Sequence, residues 1–143
     1  MTYFPDVNVW LALVVAEHAH SRRALEWADQ ASRDWLVFSR VTQMSLLRLL
    51  TNTAVMGRDT LTGAAAWGIL DDLMERDNIR FVREPDGLEE VWRRFTPSGR
   101  INPNFWTDAY LAAFARTTGF TLVTLDRGFS KYDDLPLKRL ATR

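Results

Sequence analysis

Apolar residues recur along this chain in short β-like runs separated by longer stretches of helical spacing. Tyr3 to Val7 reads as a strand, and Val9, Leu11, Leu13 and Val14 continue from it as a helix. "SRRALEWADQA" predicts a second helix, with Ser21 at its N-cap and Ala24, Leu25 and Ala28 on one face. "DWLVFS" is rich in strand formers. "RVTQMSLLRLLTNTAV" then returns to helical spacing, with Val41, Met44, Leu47 and Leu50 on one side and Thr42 able to cap. "LTGAAAWGILDDLMERD" is amphipathic through Leu61, Ala65, Ile69 and Leu73. "IRFV" is a third strand and "GLEEVWRRF" a short helix. "NPNFWTDAYLAAFARTTG" is a helix with Thr107 or Asn104 near its start and Gly119 as its C-cap. "TLVTLD" and "LKRLAT" read as the last strands. Strands alternating with helices predict an α/β fold, one domain over residues 1–143 with a short central parallel sheet flanked by helices. In such sheets functional sites form beyond the C-terminal ends of the strands.

Composition narrows the picture. There is no cysteine, so disulfides and thiolate metal sites are excluded, which fits a reducing cytoplasm. No apolar run approaches the roughly 20 residues needed to cross a bilayer, and the N-terminus has no basic region of the signal-peptide kind, so no membrane association is expected. The formal net charge of zero argues against a protein that coats nucleic acid by bulk electrostatics. The cations are unusual in kind: Lys131 and Lys138 are the only lysines, and the rest are arginines. Arginine suits bidentate phosphate contacts and stacking on bases, although a GC-rich genome produces the same bias.

The chemistry lies in the acids. Asp6 interrupts the apolar run "YFPDVNVWLALV", and Asp126 ends "TLVTLD", so both fall at the C-terminal ends of predicted strands. Asp108 lies in the first turn of the helix before the Asp126 strand, where the helix dipole favours an acid and the same edge is within reach. Gathered carboxylates repel, at about 4 kcal/mol per pair 4 Å apart in a medium of effective dielectric 20. A hard divalent cation relieves that repulsion, and oxygen ligands alone select magnesium or manganese. The chemistry expected of such a site is hydrolysis of a phosphodiester. Each acid taken singly has a local explanation: Asp6 as a helix cap, Asp108 as a first-turn acid, Asp126 as a "DRG" turn residue.

The stretches "PDVNVWLAL", "VTQMSLLRLLTN", "TDAYLAAFA" and "LVTLDRGF" resemble, in order and spacing, the PIN domain and within it the VapC-type toxins of bacterial toxin–antitoxin pairs. The resemblance covers nearly the whole chain. It implies a single PIN-like domain, a magnesium- or manganese-dependent ribonuclease, an RNA substrate, inhibition by an antitoxin protein, and a homodimer. Asp6 and Asp108 match the family's metal-binding acids, and Asp126 the further acid of the later strand. Asn8 matches the small polar residue that orients the first acid or a bound water, and Thr124 the frequent hydroxyl two residues before the last acid. The sequence departs from the pattern at Ser45, where the family usually has a glutamate, and a second metal would be held poorly without it.

Other features weigh less. Arg40, Arg48, Arg100 and Arg127 flank the acids in sequence and are candidates for RNA phosphate contacts. His18 and His20 lack a third ligand nearby and read as loop residues. Asp71, Asp72, Glu75 and Asp77 read as a solvated face paired to Arg76 and Arg80. Asp133 and Asp134 read as residues of the loop after Asp126, either of which could substitute for the missing glutamate. The six tryptophans read mostly as core, with Trp67 beside the alanine-rich "GAAAWG" as a candidate contact for a partner. Two other functions compete with the nuclease. One is a catalytically weakened PIN domain that binds RNA or protein without cutting, and the other is an aspartate-based phosphotransfer protein. The last lacks a lysine after the later strand and a Gly-rich phosphate loop.

Overall fold

The computed structural model describes residues 1–141. Five strands, β1 (Thr2–Pro5), β2 (Trp35–Phe38), β3 (Ile79–Phe81), β4 (Thr121–Thr124) and β5 (Leu137–Arg139), form one sheet in the order β3-β2-β1-β4-β5. Every adjacent pair is parallel. Side chains alternate across it with the strand period of two. Tyr3, Leu36, Phe38, Ile79 and Val123 face one core, while Phe4, Val37 and Leu122 face the other.

Seven helices cover the two faces: α1 (Val7–Val14), α2 (Ser21–Gln30), α3 (Arg40–Leu50), α4 (Thr53–Met56), α5 (Gly63–Met74), α6 (Leu88–Phe95) and α7 (Phe105–Thr118). The first core joins α1, α2, α3 and α5, and within it the Trp10 indole stacks on Phe38 with ring centroids 3.9 Å apart. The second is built by α6 and α7. There the buried run Leu111–Ala115 brings α7 close enough for Phe114 to pack on Phe4 at 4.5 Å.

The chain steps from β1 to β2 to β3 on one side of the sheet and then returns to β4 on the other side of β1. The strand order therefore reverses between β1 and β4. The loops leaving β1 and β4 diverge there, and parallel α/β sheets open their crevice at such a point.

Several local readings are corrected. The first strand stops at Pro5, and Val7 already opens α1. Ser21 is the first residue of α2 rather than its cap; His20 precedes it without a side-chain hydrogen bond. Ser39 caps α3, with Thr42 as the third residue of a reciprocal capping box. The helix predicted through Val55 breaks after Leu50. Thr51 turns its hydroxyl to the Leu47 carbonyl at 2.9 Å, and Asn52 accepts the Ala54 N–H at 2.9 Å to start α4. The α5 acids form no ion pair with Arg76 or Arg80 among the described residues; Arg80 stacks 3.5 Å above the Trp35 ring instead. Of the tryptophans, Trp10 and Trp27 are buried, whereas Trp35, Trp67 and Trp106 are exposed.

Candidate active site

Asp6 leaves β1 in an extended conformation, its N–H bonded to the Val123 carbonyl at 2.9 Å. It then caps α1: Oδ1 accepts the Val9 N–H at 3.1 Å. Capping and membership in an acidic site, rival explanations from sequence, are compatible here because Oδ2 serves a different partner. The Thr124 hydroxyl donates to Oδ2 at 2.5 Å. That hydroxyl accepts the Asp126 N–H at 2.9 Å, which leaves its proton free to point at Asp6. A short relay thus ties the end of β4 to the end of β1 across the point where the strand order reverses.

Asp6 is only 4% exposed. Burial pushes its carboxyl up to about 6, against the pull of the Thr124 hydroxyl and the Val9 and Asn8 N–H groups, and the charge on Asp126 adds to the rise. Asp108, half-buried in the first turn of α7, is also raised, by burial and then by Asp126, with Lys131 opposing. Asp126 is exposed and accepts the Gly128 N–H at 2.9 Å. It is the charge common to Asp6 and Asp108. Among the described residues no three Asp, Glu or His side chains stand close enough to close around one ion. The three acids form two repelling pairs that share Asp126, rather than a finished cage.

The donor set is nonetheless of the kind that suits a hard cation. It consists of carboxylate oxygens with unrelieved negative charge, and magnesium is commonly held by one or two carboxylates with waters completing its shell. His18 and His20 take no part, since the His20 N–H donates to His18 Nδ1 at 3.0 Å within their own loop.

The supporting residues divide. Thr124 is fully buried in the relay. Asn8 is exposed in the first turn of α1 and reaches Asp6 through its backbone N–H. Arg40 and Arg127 follow β2 and β4 at the C-terminal edge of the sheet. Arg40 stacks over Phe81 at 4.4 Å and bonds Gln43 Oε1 at 2.7 Å. Arg48 lies in the last turn of α3, a helix that starts at this edge and runs away from it, and Arg100 in the loop before α7. Ser45 is half-buried on α3 and supplies no acid.

Sequence reasoning passed over Lys131 and Tyr132. The 3₁₀ turn Arg127–Lys131 brings the Lys131 ammonium within 3.6 Å of the Phe105 ring centroid, one helical turn before Asp108. Tyr132 is buried; its hydroxyl is pushed up to about 12 by burial and by the charges of Asp108 and Asp126. The signal was the position of "KYDD" directly after the Asp126 turn.

A parallel sheet that opens at β1 and β4, with acids on the loops leaving those strands, defines a class that comparison with known proteins names. The PIN domain family model matches residues 3–135, and the chain belongs to that family. Within the family it groups with VapC. It is 44% identical over 141 residues to Ribonuclease VapC41 of Mycobacterium tuberculosis (strain ATCC 25618 / H37Rv), covering 95% of this chain and 97% of that protein. It is 35% identical over 130 residues to Ribonuclease VapC29 of the same organism, covering 91% and 90%. The fold is shared with VapBC2 from Rickettsia felis bound to a DNA fragment from their promoter, at TM-score 0.74 and 15% identity over 99% of this chain and 100% of that one. It is shared also with Mycobacterium tuberculosis VapC20, a Sarcin-Ricin loop cleaving toxin, at TM-score 0.65 and 19% identity over 90% and 92%.

Proposed function

We propose that this chain is a magnesium-dependent endoribonuclease, with manganese able to substitute, acting as the toxin of a toxin–antitoxin pair. The carrying observation is Asp6, a nearly fully buried carboxylate held at the end of β1 by Thr124 and facing a second negative charge on Asp126. A buried acid beside another acid lowers stability unless a cation occupies the site. Asp6, Asp108 and Asp126 would hold that cation, which when bound supplies charge neutralisation at the scissile phosphate and activation of a water. The chain's own residues do the rest. Thr124 fixes the orientation of the Asp6 carboxylate, Lys131 offsets the charge at Asp108, and Arg40 and Arg127 offer cations to the RNA backbone at the same sheet edge. With Ser45 in place of a fourth acid, one metal rather than two is proposed.

The nuclease activity in the names of VapC41 and VapC29 supports this reading. An antitoxin, a second copy of this chain and a cytoplasmic location are proposed with it. Exposed Met44, Val55 and Trp67 on α3, α4 and α5 offer apolar area for protein contacts, and light scattering of the purified chain reads the dimer directly. The absence of a closed acidic triad among the described residues and the serine at 45 favour one alternative, a catalytically weakened PIN domain that binds without cutting.

The test is RNA cleavage by the purified chain with magnesium, with manganese and with chelator, beside Asp126→Asn. Metal-dependent products that fall by about 100-fold or more in the variant are expected. No products with either metal, across transfer, ribosomal and messenger RNA, would replace the nuclease with the binding-only domain.

A further inference from the structure

A groove of about 690 Å³ runs beside the acidic site, between the C-terminal end of α6, the flank of α7 and the segment Lys131–Asp134. Its volume falls within the roughly 300–1,000 Å³ of sites that enclose organic ligands. Phe105, Lys131 and Tyr132 line one end, and the same Lys131 and Tyr132 feel the charge of Asp108. Arg94 and Arg116 line it from the two helices. Neither arginine is in an ion pair among the described residues, although Asp133 and Asp134 border the same groove. Phe95 adds an aromatic surface, packed on Tyr132 at 5.1 Å. The groove therefore offers unpaired cations, aromatic faces and unpaired carboxylates along one channel.

We propose that this groove binds the stretch of single-stranded RNA that leads away from the cleaved bond. Arg94, Arg116 and Lys131 take its phosphates, Phe95 takes apolar base surface, and Asp133 and Asp134 accept hydrogen bonds from ribose 2′-hydroxyls. This rests on the nuclease reading only for the direction of the strand. The carboxylates decide between ligands. An acidic peptide would place its side-chain carboxylates on the arginines but would leave Asp133 and Asp134 only main-chain N–H groups, which recur at a spacing unrelated to its charges. RNA carries phosphates for the arginines and hydroxyl donors for the acids on the same backbone, and the 2′-hydroxyl is the group that separates it from DNA. Asp134 lies in the turn after Tyr132, with φ 53°.

Binding is read in chelator, so that cutting plays no part. The probe is a fluorescein-labelled single-stranded RNA of about ten nucleotides, matched by a DNA of the same sequence, in fluorescence anisotropy. The wild type is expected to bind the RNA several-fold more tightly than the DNA. Arg94→Ala/Arg116→Ala should weaken RNA binding about tenfold and reduce the salt slope by about 1.4, two contacts at about 0.7 each for a single strand. Asp133→Asn/Asp134→Asn should bind DNA nearly as well as RNA. All four positions are exposed, and circular dichroism melts verify that the variants fold. Equal affinity and salt slope in the arginine variant, or no RNA preference in the wild type, would overturn the groove. Loss of all cleavage with arginine-sensitive binding retained would instead refute the nuclease reading and leave the groove standing. Cleavage abolished by Asp126→Asn, with Kd unmoved by the arginine changes, would do the reverse.

Discussion

Replacing Asp6 by asparagine removes a charge and little else. The folded protein raises this carboxyl from 3.8 to about 6, chiefly through burial. At about 1.4 kcal/mol per pH unit, that rise corresponds to about 3 kcal/mol of cost carried by the ionised form in the folded state. The direction follows from linkage. The folded chain holds the proton more tightly than the unfolded chain, so the contribution is favourable below pH 3.8, is lost as pH rises through about 6, and is fully absent at neutral pH. Asparagine keeps Oδ1 for the Val9 N–H, while the Thr124 hydroxyl loses its carboxylate acceptor, a cost of about 1 kcal/mol. Asp6→Asn is therefore expected to stabilise the metal-free protein at pH 7.5 by about 2 kcal/mol, or about 6 °C in Tm. Urea unfolding followed by tryptophan fluorescence, which reports on buried Trp10 and Trp27, measures this from pH 4 to 8 in chelator. The difference between variant and wild type isolates Asp6 together with its coupling to Asp126, and it should grow by about 2 kcal/mol across that range. Magnesium at pH 7.5 should raise the Tm of the wild type and leave the variant unmoved. A difference flat with pH, or a variant less stable than wild type at pH 7.5, would refute the claim that Asp6 is held in an unfavourable charged state.

Three further outcomes follow from the geometry. Thr124→Val strands both the Asp6 Oδ2 acceptor and the Asp126 N–H donor and should cost about 1–3 kcal/mol in urea unfolding, whereas Thr124→Ser should recover most of it. Gly119→Ala should destabilise by about 1 kcal/mol: the space beside Gly119 is open, but its φ of 79° at the end of α7 is strained for any residue with a Cβ. Ser45→Glu adds the acid that α3 lacks and should lower the magnesium concentration needed for half the thermal shift by about tenfold; an unchanged midpoint would place residue 45 outside the metal's reach.

Much of this molecule was legible in its residues, and for local reasons. Strand and helix alternate because "WLVF" and "TLVT" are β-rich, while "RVTQMSLLRLL" and "FWTDAYLAAFARTT" repeat apolar residues every three or four positions; these preferences act within a few residues and show in the sequence. Gly119 marked the end of α7 for the same reason, and Asp6, Asp108 and Asp126 could be named because each ends a strand or begins a helix. What only the tertiary structure decided is longer in range. The order β3-β2-β1-β4-β5, which sets Thr124 against Asp6 across 118 positions of chain, depends on which strands pair, and no local propensity encodes that. The split of acids into buried Asp6, half-buried Asp108 and exposed Asp126 follows from how helices cover the sheet edge. So does the groove of Arg94, Arg116 and the Lys131–Asp134 segment, whose members come from three separated stretches and meet only because α6 and α7 pack against the turn after β4. Charge state and pocket shape are properties of desolvation and packing, and both come into being when the chain closes on itself.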